Sequence, residues 1–364
     1  MQTTLFDFMS DEDREELAPK ESTDWKWTFA DYPKEKNGLK VFSCFACGGG
    51  STMGYKLAGC DVLGCCEIDH RMNDIYIENH HPKYNYLMDI RDFNKLENLP
   101  EELYNLDILD GSPPCTTFST SGLREKSWGV EKKFREGQAA QTLDDLSFVF
   151  IETVRKLQPK VVIMENVEGL LLGEAWNYVK RIYKDFDDAG YFVNHWLLKG
   201  ELMGVPQKRH RVFFIAIRKD LAINPGSLDM SFNYLPINYK EIKSAEGKPI
   251  DKSRRLYKVL LQSIEGDKDL SDTLARTENK PNSLFSHRLI YDDEVMSTIT
   301  AKCEFFRFPE RTGIPDQDII LSQTFPLDYQ FKDQPIIYVC GMSVPPIMIK
   351  RIVTRLIEQG VFDG

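Results

Sequence analysis

Residues 107–122 read DILDGSPPCTTFSTSG. The apolar pair Ile108-Leu109 runs into Asp110, Gly111 and Ser112 break it, and Pro113 and Pro114 stiffen the chain ahead of Cys115. Proline fixes its own φ and restricts the residue before it. A strand that stops here holds Cys115 at the edge of a sheet. About twenty polar, glycine-containing residues follow, a length that usually marks a functional loop. A thiol on such a rim is a candidate nucleophile. The alternative is a half-buried, inert cysteine, the commoner state of a free thiol. The stretch alone does not choose between them.

On either side the chain alternates strand and helix. Toward the N-terminus, Leu39 to Phe45 reads as a strand, Cys47 to Ser51 as a glycine turn, and Thr52 to Ala58 as a helix stopped by Gly59. Val62 to Cys66 is a second strand ending at Glu67-Ile68-Asp69; a helix to about Asn79 and a strand Tyr86 to Ile90 follow. Toward the C-terminus, Leu143, Leu146, Phe150, Val154 and Leu157 recur at helical spacing, and Val161 to Met164 is a buried strand leading into Glu165-Asn166-Val167. A helix at about Ala175 to Ala189 and strands at Phe192 to Leu198 and Val212 to Ile217 close the series. This order predicts an α/β fold with a mostly parallel sheet and helices on both faces. The pattern breaks at Lys219 and resumes near Arg288. The expected division is an N-terminal extension (1–37), a body (38–218), an inserted small domain (219–286) and a return to the body (287–364). Pro345-Pro346 opens the last helix, with Ile349, Ile352, Val353, Leu356 and Ile357 as its stripe and Gly360 after it.

The chain has 364 residues, 42% hydrophobic and 28% charged, an ordinary soluble balance. No apolar run suggests the roughly 20 residues of a membrane span, and the acidic, polar start is no secretory signal. The expectation is a cytoplasmic protein away from membranes. Of eight cysteines, Cys44 and Cys47 form a C-x-x-C, but no second pair follows at metal spacing, so no metal is expected. The net charge of −10 argues weakly against nucleic acid, although a basic cleft on an acidic body still binds phosphates. Gln2-Thr-Thr-Leu5-Phe6 resembles the short peptide that docks on bacterial sliding clamps; the competing reading is a disordered tail. Trp25, Trp27, Phe29 and Tyr32 are placed to strap the extension onto the body.

FACGGGSTMG, Phe45 to Gly54, follows the first strand. Glycines let a backbone approach a ligand, and the following helix N-terminus favours negative charge. Glu67, about 20 positions on, suits ribose hydroxyls. The spacing is not G-x-G-x-x-G and no Gly-Lys-Ser/Thr occurs, which speaks against a pyrophosphate or triphosphate. A nucleotide-like cofactor and a purely structural turn both remain.

Taken together, five segments resemble the DNA (cytosine-5) methyltransferases of bacterial or phage type. They are FACGGGSTMG, SPPCTTFSTSG, ENVEGL at Glu165, GVPQKRHRVFFIAIR (Gly204 to Arg218) and GMSVPP (Gly341 to Pro346), in that order, with a variable insert between the last two. The resemblance implies a Rossmann-like S-adenosyl-L-methionine-dependent fold plus a small inserted target-recognition domain. It implies Cys115 as nucleophile, Glu165 on the base, and Asn166 fixing the backbone around it. Arg211 is implied toward the base or Glu165, Arg209 toward structure or phosphate, and Ser119 in the loop. The donor pocket it implies draws on Phe45, Ala46, Cys47, Gly48, Gly49, Gly50, Glu67, Ile68, Asp89, Ile90, Asp110, Pro113, Ser343 and Val344. Duplex DNA is the implied substrate, acted on by a monomer with the base flipped out. A cognate restriction endonuclease is one partner such a protein can have. Arg124, Lys126, Lys132, Lys133 and Arg135 would close the loop over the strand, and Lys252, Arg254, Arg255 and Lys258 would meet phosphates.

Three positions depart from the family pattern: Ser43 where an acid is usual, Cys47 where glycine is usual, and Met342 where asparagine is usual. The alternatives are a tRNA cytosine-5 methyltransferase, whose Cys-Phe-Thr signature the loop lacks, and a non-catalytic DNA-binding relative, which leaves Cys115, Glu165 and Arg211 unexplained.

Overall fold

A computed structural model describes residues 19–114, 146–279 and 284–363. Seven strands, β1 (Lys40–Cys44), β2 (Asp61–Glu67), β3 (Tyr84–Leu87), β4 (Ile108–Gly111), β5 (Val161–Val167), β6 (Tyr191–Lys199) and β7 (His210–Arg218), form one sheet in the order β3-β2-β1-β4-β5-β7-β6. Only β7 runs against its neighbours; the other pairings are parallel. Helices α1 (Gly50–Leu57), α2 (His70–His80), α3 (Ile90–Lys95), α4 (Leu146–Leu157) and α5 (Trp176–Asp188) belong to this part. The later helices are α6 (Tyr239–Ile242), α7 (Arg255–Leu261), α8 (Leu270–Glu278), α9 (Asp316–Ser322), α10 (Ile336–Met342) and α11 (Pro346–Glu358).

Strand side chains point alternately to the two faces. Val41, Ile108, Val161 and Ile163 enter one core with α1, α2, α10 and α11. Phe42, Leu109, Val162 and Met164 enter the other with α3, α4 and α5. Burial on both faces explains why these strands read as continuous apolar runs.

Two local expectations shift. The strand placed at Tyr86 to Ile90 lies at Tyr84–Leu87, because Asp89 is the N-cap of α3, accepting the Arg91 N–H at 2.8 Å. β5 also runs past Met164 through Val167, since Asn166 and Val167 pair with Val212 and Arg211 of β7.

Ile336–Glu358 is long and apolar enough to cross a membrane, with mean hydropathy 1.5, contrary to the sequence expectation that no such run exists. Ser343 to Pro345 divide it into two helices, and most of its apolar residues, among them Val339, Cys340, Ile347, Ile349, Ile352 and Leu356, lie in the core.

Residues 19–37 strap the body. Trp27 is buried; its Nε1 donates to Thr324 O at 2.8 Å, and its carbonyl accepts from Leu327 N at 3.0 Å. Asp24 pairs with Lys350 and Arg351 of α11.

A second sheet, β8 (His287–Ile290), β9 (Glu304–Arg307) and β10 (Thr312–Gly313), is ordered β10-β9-β8. With α7 and α8 it encloses a separate cluster of Leu256, Val259, Leu260, Leu270, Leu274, Leu289 and Phe306. Met230, Ile237, Tyr239 and Ile242 pack instead on the main core. The separate cluster therefore begins well after Lys219 and continues beyond Ser286.

Candidate active site

The strand order reverses direction between β1 and β4: β2 and β3 extend one way, β4 and β5 the other. Doubly wound sheets bind ligands at the carboxyl ends of strands at such a point. The turn after β1, the end of β4 and the end of β5 all meet there.

In the turn, Phe45 (φ 57°), Cys47 (φ 49°) and Gly49 (φ 84°) are left-handed at alternate positions. Alternation of this kind turns backbone N–H groups inward and makes an anion-binding concavity. The anion here is the protein's own. Cys47 N donates to Glu67 Oε2 at 2.8 Å, and Asp69 N donates to Glu67 Oε1 at 2.8 Å. Burial raises the Glu67 pKa, and these backbone donors oppose the shift.

The glycines also make room for neighbouring segments of the protein. A Cβ on Gly48 would lie 2.6 Å from the Tyr329 hydroxyl, one on Gly49 2.0 Å from the His80 ring, and one on Gly50 2.4 Å from Val344 O. Their missing side chains admit these protein neighbours. Gly48 O accepts from the Tyr329 hydroxyl and from His80 Nε2 at 3.1 Å. Burial pushes the His80 pKa down to about 3, so the ring is neutral with its proton on Nε2.

Ser43, Asp110, Glu165 and Arg211 share one face of the sheet, by the strand alternation that puts Val41, Ile108, Ile163 and Phe213 in the same core. Ser43 and Asp110 are register partners. Asp110 is buried and accepts from Ser43 Oγ at 2.5 Å and from the Tyr55 hydroxyl at 3.1 Å. Burial first, and the charge of Glu165 second, push its pKa up to about 7, against the Ser43 and Tyr55 hydrogen bonds. An acid at 43 would put two carboxylates side by side; with serine the pair holds one, contributed by β4.

Arg211 Nε meets Glu165 Oε1 at 2.8 Å, with side chains only 15% and 13% exposed. Arg211 Nη1 also donates to His210 O at 2.7 Å. One carboxylate oxygen is thus held and the other is oriented by it. Asn166 faces the opposite way: its Nδ2 donates to Pro113 O at 3.4 Å and its Oδ1 accepts from Val167 N at 2.9 Å. It ties the end of β5 to the Pro-Pro segment that leads to residue 115. Arg209 is buried; Nη1 donates to Ile299 O at 2.9 Å and Nη2 to Gly341 O at 3.2 Å. Its neighbours place it among structural contacts and away from Glu165's hydrogen bonds.

Gln207, which the sequence reading did not single out, completes the joint. It donates to Ser322 O and to Gln323 Oε1, and accepts from Ile299 N at 2.9 Å; Gln323 in turn donates to Ser343 O at 2.8 Å. Its place in the segment GVPQKRHR was the available signal. Ser343 is buried, with Oγ donating to Val339 O at 2.8 Å, and Val344 O lies over Gly50. Met342 is exposed.

The remaining donor-pocket residues divide. Ala46 lies in the turn, beside Phe45, which packs 6.3 Å from the Phe150 ring. Ile68 is half-buried past the end of β2. Asp89 is occupied by its own helix, and its carboxylate also meets Arg91 Nη1 at 3.3 Å. Ile90, the first residue of α3, packs its side chain into the core with Phe93. Cys115, Ser119, the loop cations 124–135 and Gln2 to Phe6 lie outside the described residues. Lys252, Arg254, Arg255 and Lys258 are exposed, Arg255 pairing with Glu278. Among the described residues no cluster of three His, Cys, Asp or Glu side chains is arranged to hold a metal.

The profile of the C-5 cytosine-specific DNA methylase family matches residues 39–310. The chain belongs to this family. The type II methyltransferase M.FnuDI of Fusobacterium nucleatum is 35% identical over 206 residues, covering 56% of this chain and 53% of that protein. M.NgoPII of Neisseria gonorrhoeae is 32% identical over 195 residues, covering 52% and 51%. The chain thus spans about half the length of these two relatives. M.NgoFVII, also of N. gonorrhoeae, matches over 85% of this chain and 84% of its own at 25% identity. Among solved structures, a putative DNA modification methyltransferase encoded within an E. coli prophage superposes with a TM-score of 0.58 at 19% identity, over 88% of this chain and 99% of that one. A Spodoptera frugiperda DNMT2 mutant gives 0.60 at 16% identity, over 88% and 100%. At these identities the likeness is one of fold. The body of this methylase-family chain has the Rossmann-like fold of S-adenosyl-L-methionine-dependent methyltransferases.

Proposed function

We propose that the protein is a DNA cytosine-5 methyltransferase that uses S-adenosyl-L-methionine, with Cys115 as nucleophile. The observation that carries this reading is the Glu165–Arg211 pair beside the Asn166–Pro113 tie. A carboxylate gripped on one oxygen stands next to the segment that delivers the thiol.

The donor fits the turn by its chemistry. Glu67 already takes the inward Cys47 N–H, which disfavours a phosphate there and leaves a carboxylate suited to ribose hydroxyls. Glu67, Cys47, Ser343 and Val344 would hold the donor. When bound, it supplies a methyl group on a positively charged sulfur, already a strong electrophile.

Carbon 5 of cytosine is a poor nucleophile. In the proposed reaction the Cys115 thiolate forms a bond to carbon 6, and the displaced ring electrons make carbon 5 an enamine carbon. Glu165 takes up a proton, donates it toward N3 and accepts from the exocyclic amine, so the negative charge that develops on the ring meets a positioned donor. Arg211 keeps that carboxylate in place. Carbon 5 would gain the methyl group as the donor's sulfur–methyl bond breaks and leaves its electron pair on that sulfur. Carbon 5 then gives its proton to solvent, and the electrons of that C–H bond expel the Cys115 sulfur from carbon 6 and regenerate the thiolate. Asn166 aligns the Pro-Pro segment and acts through the backbone. Arg209 and Gln207 hold the C-terminal strip against the turn.

The target carbon lies inside a duplex, so the base is flipped out at a cost of a few kcal/mol. We assign the small unit of α7, α8 and the second sheet to sequence reading, with Lys252, Arg254 and Lys258 on phosphates. The reading entails action on duplex DNA in the cytoplasm.

The test is incubation of purified protein with plasmid DNA and S-adenosyl-L-methionine, followed by bisulfite mapping, with a tRNA arm and Cys115→Ser as control. Methylated cytosines in one recurring short sequence, absent with Cys115→Ser, are the expected result. Methylation of tRNA alone, or unchanged methylation by the variant, would overturn the substrate or the nucleophile respectively.

A further inference from the structure

β9 is shared between two cores. Phe306 faces the small unit's cluster, whereas Phe305 faces the body. Arg307, two positions on from Phe305, turns toward α6 and α9. Its side chain is 1% exposed, and Asp318 of α9 is 0% exposed. Arg307 Nη2 donates to Asp318 Oδ2 at 2.9 Å and to Ser244 O at 2.8 Å, and Nε donates to the Tyr239 hydroxyl at 2.7 Å. The Tyr239 hydroxyl in turn donates to Asp318 Oδ2, and Asp318 Oδ1 accepts from both the Ser244 N–H, at 3.0 Å, and the Ser244 hydroxyl.

The four residues come from different sides of the joint. Tyr239 and Ser244 precede the small unit, Arg307 lies within it, and Asp318 follows it. Close by, Lys248 and Gly313 exchange two backbone hydrogen bonds, 2.8 and 2.9 Å, where the chain enters and leaves.

A buried ion pair gives little net stability, because removing two charges from water offsets their attraction. It does give direction. Apolar burial, such as that of Phe305, Ile314 and Ile319, is non-directional; a planar guanidinium with fixed partners is not. Nothing in the chemistry proposed above uses these groups.

We propose that Arg307, Asp318, Tyr239 and Ser244 form a positioning pin that sets the tilt of the small unit on the body and thereby selects which DNA sequences present a cytosine to the site. The inference rests on reading the small unit as the sequence reader. Each mismatched base pair typically costs about 1–3 kcal/mol, provided the reading groups are held in place. A reader that rocks loses that discrimination before it loses methylation itself.

The experiment compares wild type, the charge-free pair Arg307→Met with Asp318→Leu, and Tyr239→Phe. Methylation rates are measured on the wild type's own mapped site and on duplexes with one base pair changed. Donor affinity and the unfolding midpoint are recorded for each protein. For the charge-free pair, the preference for the mapped site is expected to fall about tenfold, the scale of one mismatch, with donor affinity unchanged. For Tyr239→Phe the fall is about threefold, the scale of one hydrogen bond. A purely structural role would move the midpoint and leave the preference intact, and that result overturns the pin. If the charge-free pair does not fold, Tyr239→Phe carries the test, and an unchanged preference there overturns it. A wild type that methylates DNA without sequence preference overturns the reader reading instead.

Discussion

The turn after β1 and the joint under the small unit both hold a buried carboxylate, but they hold it by different means. Glu67 is fixed by two backbone N–H groups within and beside its own motif. Asp318 is fixed by the side chains of Arg307 and Tyr239, together with Ser244, up to 79 residues away. The first arrangement depends on backbone conformation, so it needs glycine and left-handed residues at set positions. The second depends on side chains that any irregular segment can carry. A site built from backbone leaves a spaced signature in the sequence; a joint built from distant side chains leaves none.

The sheet edge between these two regions should be the most sensitive to chemical change. Glu165→Gln keeps the shape of the side chain and its contact with Arg211 but removes the charge that Arg211 grips. Turnover is expected to fall about 10²- to 10⁴-fold, the usual contribution of a positioned acid or base. Donor affinity should stay the same, since Glu67 and the turn are untouched. Single-turnover methylation and donor titration measure the two separately. Equal loss in both would mean that Glu165 supports the turn, and the contrast between edge and turn would collapse.

Much of that edge was legible. Pro113-Pro114, Glu165-Asn166 and Arg209-x-Arg211 lie at strand ends, where alternation fixes which side chains share a face. What the sequence hid was partnership. Ser43 looked like a lost acid until its register partner proved to be Asp110. Gln207 and Gln323 meet across 116 residues. Asp89 and Ile90 were read as a strand end because YLMDI is an apolar run, and the capping role of Asp89 was outweighed. The core of the small unit was hidden for the same reason: β8 and β9 are four residues each, and their cluster depends on α7 and α8 earlier in the chain.

Asp110 sharpens the comparison further, because it is neither backbone-held nor ion-paired. The groups that act on it include the Ser43, Tyr55 and Ser51 hydroxyls and the charge of Glu165. Its pKa is raised from 3.8 to about 7 in the fold. A raised carboxyl stabilises the fold fully below its unfolded pKa, and that stability is lost as pH rises through the folded value. The window is therefore about pH 4 to 7. Asp110→Asn removes the titration, so its stability relative to wild type should rise across that window, by about 1–3 kcal/mol between pH 5 and pH 8. Urea unfolding at the two pH values measures it. A difference that does not change with pH would mean that Asp110 is not held protonated by burial.

The smallest effect is expected for Cys47→Gly, and it tests whether the turn is truly held by backbone. Its φ of 49° is a left-handed conformation that costs a residue with a Cβ about 1–2 kcal/mol. The thiol is not activated: burial, and then the charge of Glu67, push its pKa up to about 12. Replacing it with glycine relieves the strain but gives up side-chain burial and about 0.5–1 kcal/mol of chain entropy. These terms oppose one another, so Cys47→Gly should shift stability by less than about 1 kcal/mol. Cys47→Val keeps a Cβ and branches it in the same left-handed position, and should cost more than about 2 kcal/mol. Urea midpoints of the two variants, with donor affinity measured alongside, decide the matter. Large destabilisation by glycine and tolerance of valine would show that the thiol's contacts hold the turn, and the distinction between a backbone-built site and a side-chain-built joint would then fail at its clearest case.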